Sequence, residues 1–211
     1  MDAGIATAIG VALAAGFNAW AAALVFGLLA RVFPGLLSGP VAALLASGPV
    51  LTVLLVLFGS EFLFDKIPWL DRLWNLSQTF LRPAVGGILA LACMAAHGPW
   101  QRLLAAILGA AVTLLAHFAE TASRFTSTAA ISGWSQLALS LAEDVIAVSL
   151  TAVAVFSPGL SLGAAAAVVL LVVILFSRVR HGVAILFFSA AHPRTLRRAH
   201  RERQTRDSRG E

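Results

Sequence analysis

Long apolar runs, separated by short charged or proline-containing breaks, dominate the chain. The first run, residues 3–30, is 28 residues without a charged side chain, and Gly16-Phe17-Asn18 interrupts it near its middle. Five further runs cover about residues 41–65, 83–96, 100–121, 134–156 and 160–176. An α-helix needs about 20 apolar residues to cross the hydrocarbon core of a bilayer. The pattern therefore predicts an all-α polytopic membrane protein with about six transmembrane helices.

Two stretches depart from this simple pattern. Residues 69–82 place tryptophan, leucine and phenylalanine along one helical stripe, which favours an amphipathic helix at the membrane interface. Residues 124–133 are typical of a loop or a broken helix. We expect Pro49 to start or kink the second span and Pro68 to stop it.

Composition agrees with a lipid environment. Hydrophobic residues make up 59% of the chain and charged residues 12%, whereas a soluble domain carries about 25% charged residues. So few polar groups could not cover a water-facing surface, and the lipid bilayer is the first expected partner. Cys93 is the single cysteine, which excludes a disulfide within the chain.

Positive charge is concentrated at the C-terminal end. Residues 1–177 hold six Lys and Arg against seven Asp and Glu, whereas residues 178–211 hold nine Arg against three acids. We expect a transmembrane domain over 1–180 and a basic cytoplasmic tail over 181–211, partly an interfacial helix and partly disordered. Such a tail binds anionic lipid headgroups. Nucleic acid is not expected, because aromatic residues do not interleave with the basic ones.

The basic residues also predict an orientation. Six spans with both termini in the cytoplasm put most of the positive charge on the cytoplasmic side, as the positive-inside rule requires. Lys66, Arg72, Arg82, Arg124 and the tail then fall inside, and Arg31 and Arg102 fall outside. The predicted location is a bacterial inner membrane.

The first charged cluster is Glu61, Asp65, Lys66 and Asp71. Glu61 and Asp65 are four residues apart, so both carboxylates share one helix face. Lys66 lies about 100° further round and can pair with a neighbouring helix or extend outward. A helix end anchored by interfacial charges explains Lys66 and Asp71, but it explains Glu61 poorly, since Glu61 lies inside the apolar run. Anchoring and function both stay open here.

The second charged cluster is His117, Glu120 and Arg124. Their offsets of three, four and seven align all three side chains on one face of the predicted fourth helix. Either a structural ion pair at a helix end or part of a functional site would account for them.

The third cluster is Ser140, Glu143 and Asp144, near the middle of the fifth span. Each ionised carboxylate at mid-membrane costs about 2.5–3.5 kcal/mol, so such groups are kept where they are protonated, paired or facing a water-filled cavity. Ser140 precedes the acids by three and four residues and can hydrogen-bond to either. We favour a functional site here over a buried structural network.

Asn18 is the polar residue within the interruption of the first run. It either joins two helices by a hydrogen bond or binds freed backbone or substrate at a helix break. A glycine and an amide residue recur at Gly133 and Gln136, ahead of the second acidic pair. This weak repetition is consistent with two inverted repeats with broken helices, an arrangement found in small transporters.

These residues together resemble a bacterial membrane family known as domain of unknown function 4126. The matching pieces are GFNAW near residue 16, GLLAR at 27–31, ExxxDKxPxxD at 61–71, RPAVGG at 82–87, HxxxxxxR at 117–124 and SLAED at 140–144. The chain departs from the family pattern at Glu120, where the family tends to have Lys, and at 133–136, where it tends to have Gly-x-x-Asn. The resemblance implies a compact polytopic α-helical protein and supplies no activity.

The leading hypothesis is a small membrane transporter or channel for an ion or polar solute, coupled to protons through buried carboxylates. The candidate proton- or cation-handling residues are Glu61, Asp65, Glu143 and Asp144, with Lys66 and Arg124 as counter-charges and Asp71, His117, Glu120, Asn18 and Ser140 beside them. One alternative is a membrane-embedded enzyme that acts on lipid headgroups through a divalent metal ion held by the acidic cluster, although enzyme signatures are absent. Another is a structural or assembly protein. No cofactor is expected, and small-residue interfaces permit a homodimer.

Overall fold

The computed structural model describes residues 2–64, 68–127, 133–168 and 170. Within its helices, the side chains of residues 62–64, 68–76, 122–127, 133–137 and 139 lie outside the description. The described residues form helices and no strand, which confirms the all-α prediction. The helices are α1 (Ala3–Phe17), α2 (Ala19–Val32), α3 (Pro40–Leu45), α4 (Gly48–Phe64), α5 (Pro68–Cys93), α6 (Pro99–Ser127), α7 (Gly133–Phe156) and α8 (Pro158–Val168).

One of the described helices is long and apolar enough, by length and composition, to cross a membrane. This stretch is Pro99–Thr121, with 23 residues. Shorter apolar helices of 10–17 residues cover Ala3–Phe17, Ala19–Val32, Gly48–Glu61 and Pro158–Val168. The count of six spans stays a prediction, as does the basic tail over 181–211, which lies outside the described residues.

Asn18 separates α1 from α2. Its backbone is extended, with φ −148° and ψ 109°, and its side-chain Oδ1 accepts a hydrogen bond from the Ala21 N–H at 2.9 Å. The residue therefore ends α1 and supplies the N-cap from which α2 starts. The interruption predicted near the middle of the first apolar run is confirmed.

Contacts with α7 show that α2 runs back along α1. At the turn, Asn18 forms a hydrogen bond with Asp144 of α7. Further back along α1, Gly10 packs against Ala154 of α7 so closely that an added Cβ would lie 2.6 Å from the Ala154 Cβ. Phe33, just past the end of α2, packs edge-on against Phe156 with ring centroids 5.4 Å apart. Both arms thus follow the same stretch of α7, whose thirteen residues from Asp144 to Phe156 span roughly 18 Å. The two helices form an antiparallel pair, the α1–α2 hairpin, in place of the single span predicted over 3–30.

The N-terminus lies beside the turn between α5 and α6. The Asp2 carboxylate accepts the Gly4 N–H at the start of α1 and contacts His97 Nε2 at 2.5 Å. The predicted topology places both termini in the cytoplasm and Arg102, which follows this turn closely, outside. Both placements cannot hold, because a bilayer cannot separate two residues that are in contact. The chain folds back at Asn18, so that the start of α1 and the end of α2 lie near the same end of α7.

The helix α5 unites two elements that the sequence pattern separates. Residues 69–82 and the span from residue 83 form one 26-residue helix, and Pro83 lies inside it. Proline lacks the N–H that would bond to the Thr79 carbonyl, and it crowds that carbonyl, but the helix continues on both sides. The predicted amphipathic helix over 69–82 and the predicted span from residue 83 are therefore not separate elements.

Small residues let α1, α5 and α6 pack backbone against backbone. An added Cβ at Gly86 of α5 would overlap the Thr113 side chain of α6, and one at Gly16 of α1 would overlap Ala116. The Thr113 hydroxyl lies 2.7 Å from the Ala12 carbonyl oxygen and links α6 to α1. Gly16 and Gly86 therefore act as helix-packing points.

Polar and apolar residues take opposite faces of α6. The inward face is buried and carries Thr113, Ala116, His117 and Glu120. The outward face carries large apolar side chains that are half or more exposed, among them Trp100, Leu104, Ile107, Leu108 and Phe118. The helix thus has the reverse of the usual arrangement on a soluble protein, where the apolar stripe faces the core.

Candidate functional site

The guanidinium of Arg82 lies at the centre of a buried polar cluster. Arg82 is on α5, and its side chain is 5% exposed. Nη2 lies 3.2 Å from Glu61 Oε1 near the end of α4, and Nη1 forms an ion pair with Glu120 Oε2 on α6. One buried cation thus joins carboxylates from two other helices. We call Glu61, Arg82, His117 and Glu120 the Arg82 cluster.

Arg82 Nη1 has two further acceptors. It donates to the carbonyl oxygen of Gly16 at 2.9 Å and lies 3.1 Å from His117 Nδ1. With Glu120 this makes three acceptors, but an Nη nitrogen carries only two protons. The three acceptors must therefore share these protons, whereas Nε has no hydrogen-bond partner among the described residues.

The break at Asn18 explains why a backbone carbonyl is available to Arg82. Gly16 is in the last turn of α1, where carbonyls have no intrahelical partner and the helix dipole places partial negative charge. In a continuous helix the Gly16 carbonyl would bond to the N–H four residues later. A cation at this end of α1 is thus favoured by both hydrogen bonding and charge.

An anion occupies the other side of the same break. The Asn18 side-chain Nδ2 donates to Asp144 Oδ1 at 2.8 Å, next to the start of α2. The first turn of a helix carries partial positive charge and favours a carboxylate. The turn of the hairpin therefore lies between Arg82, at the end of α1, and Asp144, at the start of α2.

The structure brings together most of the predicted site residues whose side chains it describes. His117 and Glu120 lie on the inward face of α6, Glu143 is 7% exposed on α7, and Ser140 is half-buried one turn before it. Asp65 and Lys66 lie outside the described residues. Asp71 and Arg124 lie on α5 and α6, but their side chains lie outside the description. The predicted role of Lys66 and Arg124 as counter-charges therefore stays a prediction. In the described structure, Arg82 is the counter-charge of Glu61 and Glu120.

A metal ion does not fit the Arg82 cluster as it stands. Among the described residues, no three His, Cys, Asp or Glu side chains are placed to hold a metal ion. The carboxylates of Glu61 and Glu120 face a guanidinium, which occupies the place that a cation would take. The predicted pairing of Glu61 with Asp65 at a metal falls partly outside the described residues.

Comparison with known families agrees with the resemblance seen in the sequence. The family model described as "Domain of unknown function (DUF4126)" matches residues 5–178, which is well over half of the chain. The chain belongs to the DUF4126 family. No curated protein and no solved structure matches it. The DUF4126 match includes the whole Arg82 cluster together with Asn18 and Asp144.

Arg82 is the residue of this DUF4126 site that sequence reasoning missed. The sequence pattern places Arg82 with the basic residues of the cytoplasmic side, because residues 69–82 are amphipathic and an apolar run begins at Pro83. One signal was present in the sequence: the arginine directly adjoins an apolar run that contains Gly86 and Gly87. Had that run been joined to the preceding helix, Arg82 would have stood near its middle, where a cation needs a partner.

Proposed function

We propose that this DUF4126 protein is a small membrane transporter or channel for an ion or a polar solute, coupled to protons through buried carboxylates. The observation that carries the proposal is the meeting of Arg82, Glu61 and Glu120 at the turn of the α1–α2 hairpin. Small transporters form ion and substrate sites from the ends of broken helices near the midplane of the membrane. A cation at the end of α1 and an anion at the start of α2 reproduce this chemistry.

The hairpin supports a site inside the membrane. Its two arms begin and end near one end of the helix bundle, where Asp2 contacts His97 and Phe33 contacts Phe156. Its turn lies at the level of Arg82, which is close to the middle of α5. Backbone that turns at membrane depth is tolerated where it is buried in protein or lines a water-filled cavity. A re-entrant hairpin with charged groups at its tip has this form.

The exposed faces support a polytopic arrangement in the inner membrane. Large apolar residues on the outward face of α6 suit contact with lipid, and similar exposed residues occur on α4 and α7, such as Val56 and Val145. We propose that α4, α5, α6 and α7 cross the bilayer and that α1 and α2 enter from one side. The N-terminus then lies with His97 on the outer side, where Arg31 and Arg102 also fall.

A purely structural role accounts less well for so many buried charges. Replacing a buried ion pair with apolar residues of similar volume is often neutral or stabilising by about 1–4 kcal/mol. Helix association in this bundle is already provided by close contacts such as those at Gly16 and Gly86. The buried charges of the Arg82 cluster are therefore better explained by a functional role than by a contribution to stability.

The test is a flux measurement in proteoliposomes. We would trap a pH-sensitive dye, impose a Na⁺ or K⁺ gradient, and follow proton and cation movement for the wild type and for Glu120→Gln, Glu61→Gln and Glu143→Gln. The expected result is flux in the wild type and loss of most of it in the three variants. Asp2→Asn, which neutralises a carboxylate outside the cluster, should keep the wild-type rate. Wild-type flux no higher than that of empty liposomes would contradict the proposal.

A further inference from the structure

Arg82 limits the role that one ring nitrogen of His117 can take in a hydrogen bond between them. An arginine side chain has only donors, and it does not lose its proton in proteins. His117 Nδ1 lies 3.1 Å from Arg82 Nη1, and it can take a hydrogen bond from that nitrogen only through its lone pair. In this arrangement the ring proton is on Nε2, which lies 3.5 Å from the Thr79 hydroxyl.

A second acceptor lies close to the same nitrogen. Glu120 Oε2 is 3.7 Å from His117 Nδ1, and it also pairs with Arg82 Nη1. A proton placed on Nδ1 would turn this nitrogen from an acceptor into a donor. It would lose the contact with Arg82 and gain a charge-assisted hydrogen bond to Glu120 after a shift of less than about 1 Å.

We propose that His117 is the proton-binding switch of the Arg82 cluster. When Nδ1 takes up one proton, Glu120 changes partner from Arg82 to His117. Arg82 Nη1 is then left with the Gly16 carbonyl at the turn of the hairpin. This inference rests on the proposed function, because it names the group that would couple proton uptake to the hairpin during transport. The change of hydrogen-bond partner can be tested without measuring transport.

Several groups in the described part of the chain surround His117. The helices packed on α6 are α5, which brings Arg82 and Thr79, and α1, which brings the Gly16 carbonyl. Glu120 is on α6 itself, and Glu61 of α4 reaches the same guanidinium. Arg124 is also on α6, with its side chain outside the description. Three acceptors compete for the two protons of Arg82 Nη1. Nη1 therefore keeps two acceptors if His117 Nδ1 takes up a proton and stops accepting from it.

The first test reads the tautomer directly. We would record nitrogen NMR spectra of the full chain, labelled with ¹⁵N-histidine in lipid nanodiscs, over roughly pH 5–8, the range in which histidine changes charge. The His117 signals are identified by their loss in His117→Gln. A neutral ring protonated at Nε2 that becomes doubly protonated on acidification supports the proposal. A ring protonated at Nδ1 at neutral pH, or one that never gains a second proton, would overturn it.

The second test separates a switch from a structural acceptor. The side-chain oxygen of His117→Gln can still accept from Arg82, but it cannot take up a proton. If His117 is a switch, the variant should lose the pH dependence of flux that the wild type shows over the same range. An unchanged pH profile in His117→Gln would overturn the switch. Absence of wild-type flux at every pH would instead contradict the proposed function, and the NMR result would still decide the tautomer and the proton uptake.

Discussion

Asn18 and Asp144 are 126 residues apart in the chain, and a hydrogen bond of 2.8 Å joins their side chains. The same Asn18 side chain caps α2 through its other polar atom. One residue therefore both reverses the chain between α1 and α2 and attaches this reversal to α7. The position of the hairpin turn in the bundle depends on this double role.

The first prediction concerns this link. Asn18→Ala removes the cap, which costs about 1 kcal/mol, and also the bond to Asp144. In a double-mutant cycle with Asp144→Ala, measured by denaturant unfolding in detergent, we expect a coupling free energy of about 0.5–3 kcal/mol. Asn18→Asp is the informative companion, since it keeps a capping oxygen but sets a carboxylate against Asp144. Strict additivity of the two alanine changes would show that the bond does not contribute to stability.

The second prediction separates stability from function in the Arg82 cluster. Arg82→Met leaves Glu61 and Glu120 without their common cation, so the free energy of unfolding should fall by about 3–5 kcal/mol. The triple variant Arg82→Met, Glu61→Gln, Glu120→Gln also removes both carboxylate charges and should recover much of that loss. Flux should stay absent in the triple variant. A triple variant with wild-type flux would mean that the cluster is structural.

The third prediction tests the close contact between α5 and α6. A Cβ at Gly86 overlaps the side chain of Thr113, and the displaced hydroxyl would lose the Ala12 carbonyl. Overpacking of this kind costs typically about 1–3 kcal/mol, and we expect Gly86→Ala to lower the midpoint of thermal unfolding. Gly59→Ala is the matched control, because a Cβ on this helical glycine meets nothing within 4 Å. Equal effects of the two changes would argue against the contact.

The fourth prediction is a pH dependence of stability. His97 donates to the Asp2 carboxylate and so holds its pKa below the usual range, and the Gly4 N–H acts in the same direction. A carboxyl whose pKa is lowered by folding stabilises the fold above its unfolded-state pKa of about 3.9. This stabilisation is lost as the pH falls through the lower folded-state value.

Asp2→Asn should therefore lose part of the acid sensitivity while keeping an oxygen for the Gly4 N–H. Melting temperatures of the wild type and the variant, measured in detergent from neutral pH downwards, should converge at acid pH. His97→Gln should behave like Asp2→Asn. Parallel melting curves for all three proteins at every pH would refute the assignment.

The fifth prediction concerns the side on which the N-terminus lies. In a Cys93→Ala background, single cysteines at Ala3 and Gly98 should react with a membrane-impermeant maleimide from the same side of intact vesicles. Contact between Asp2 and His97 requires this outcome. Gly159 lies just past the end of α7, and the Gly159→Cys variant should react with the maleimide from the same side as the other two. Labelling of position 3 from the opposite side would contradict the re-entrant hairpin.

Several features of the site could be read from the sequence because they depend on local spacing. His117 and Glu120 are three residues apart, so any helix there puts them on one face. The interruption at Asn18 was visible because an amide side chain after a glycine in an apolar run favours a cap over a continuous helix. The long apolar runs alone predicted an all-α protein, since their composition leaves few alternatives.

Other features depend on which helices meet, and local spacing contains no such information. Whether Asn18 kinks a helix or reverses it is decided by the bond to Asp144 and by the packing of Phe33 on Phe156. Arg82 looked like an interfacial residue, because its partners come from α4, α6 and the end of α1. Charge positions along the chain do not reveal which helices face one another, so these partners could not be chosen in advance.

Hydrophobic periodicity and helix geometry act over a few residues, so they predict the helical class, the main apolar segments and the polar face of α6 without any knowledge of the fold. The folding back of residues 3–30 as a hairpin and the position of Arg82 between Glu61 and Glu120 depend on the packing of the helices. The physical reason is that a buried charge is stabilised by whichever opposite charge the packing brings within hydrogen-bonding distance. That distance is a property of the assembled bundle and not of any one helix.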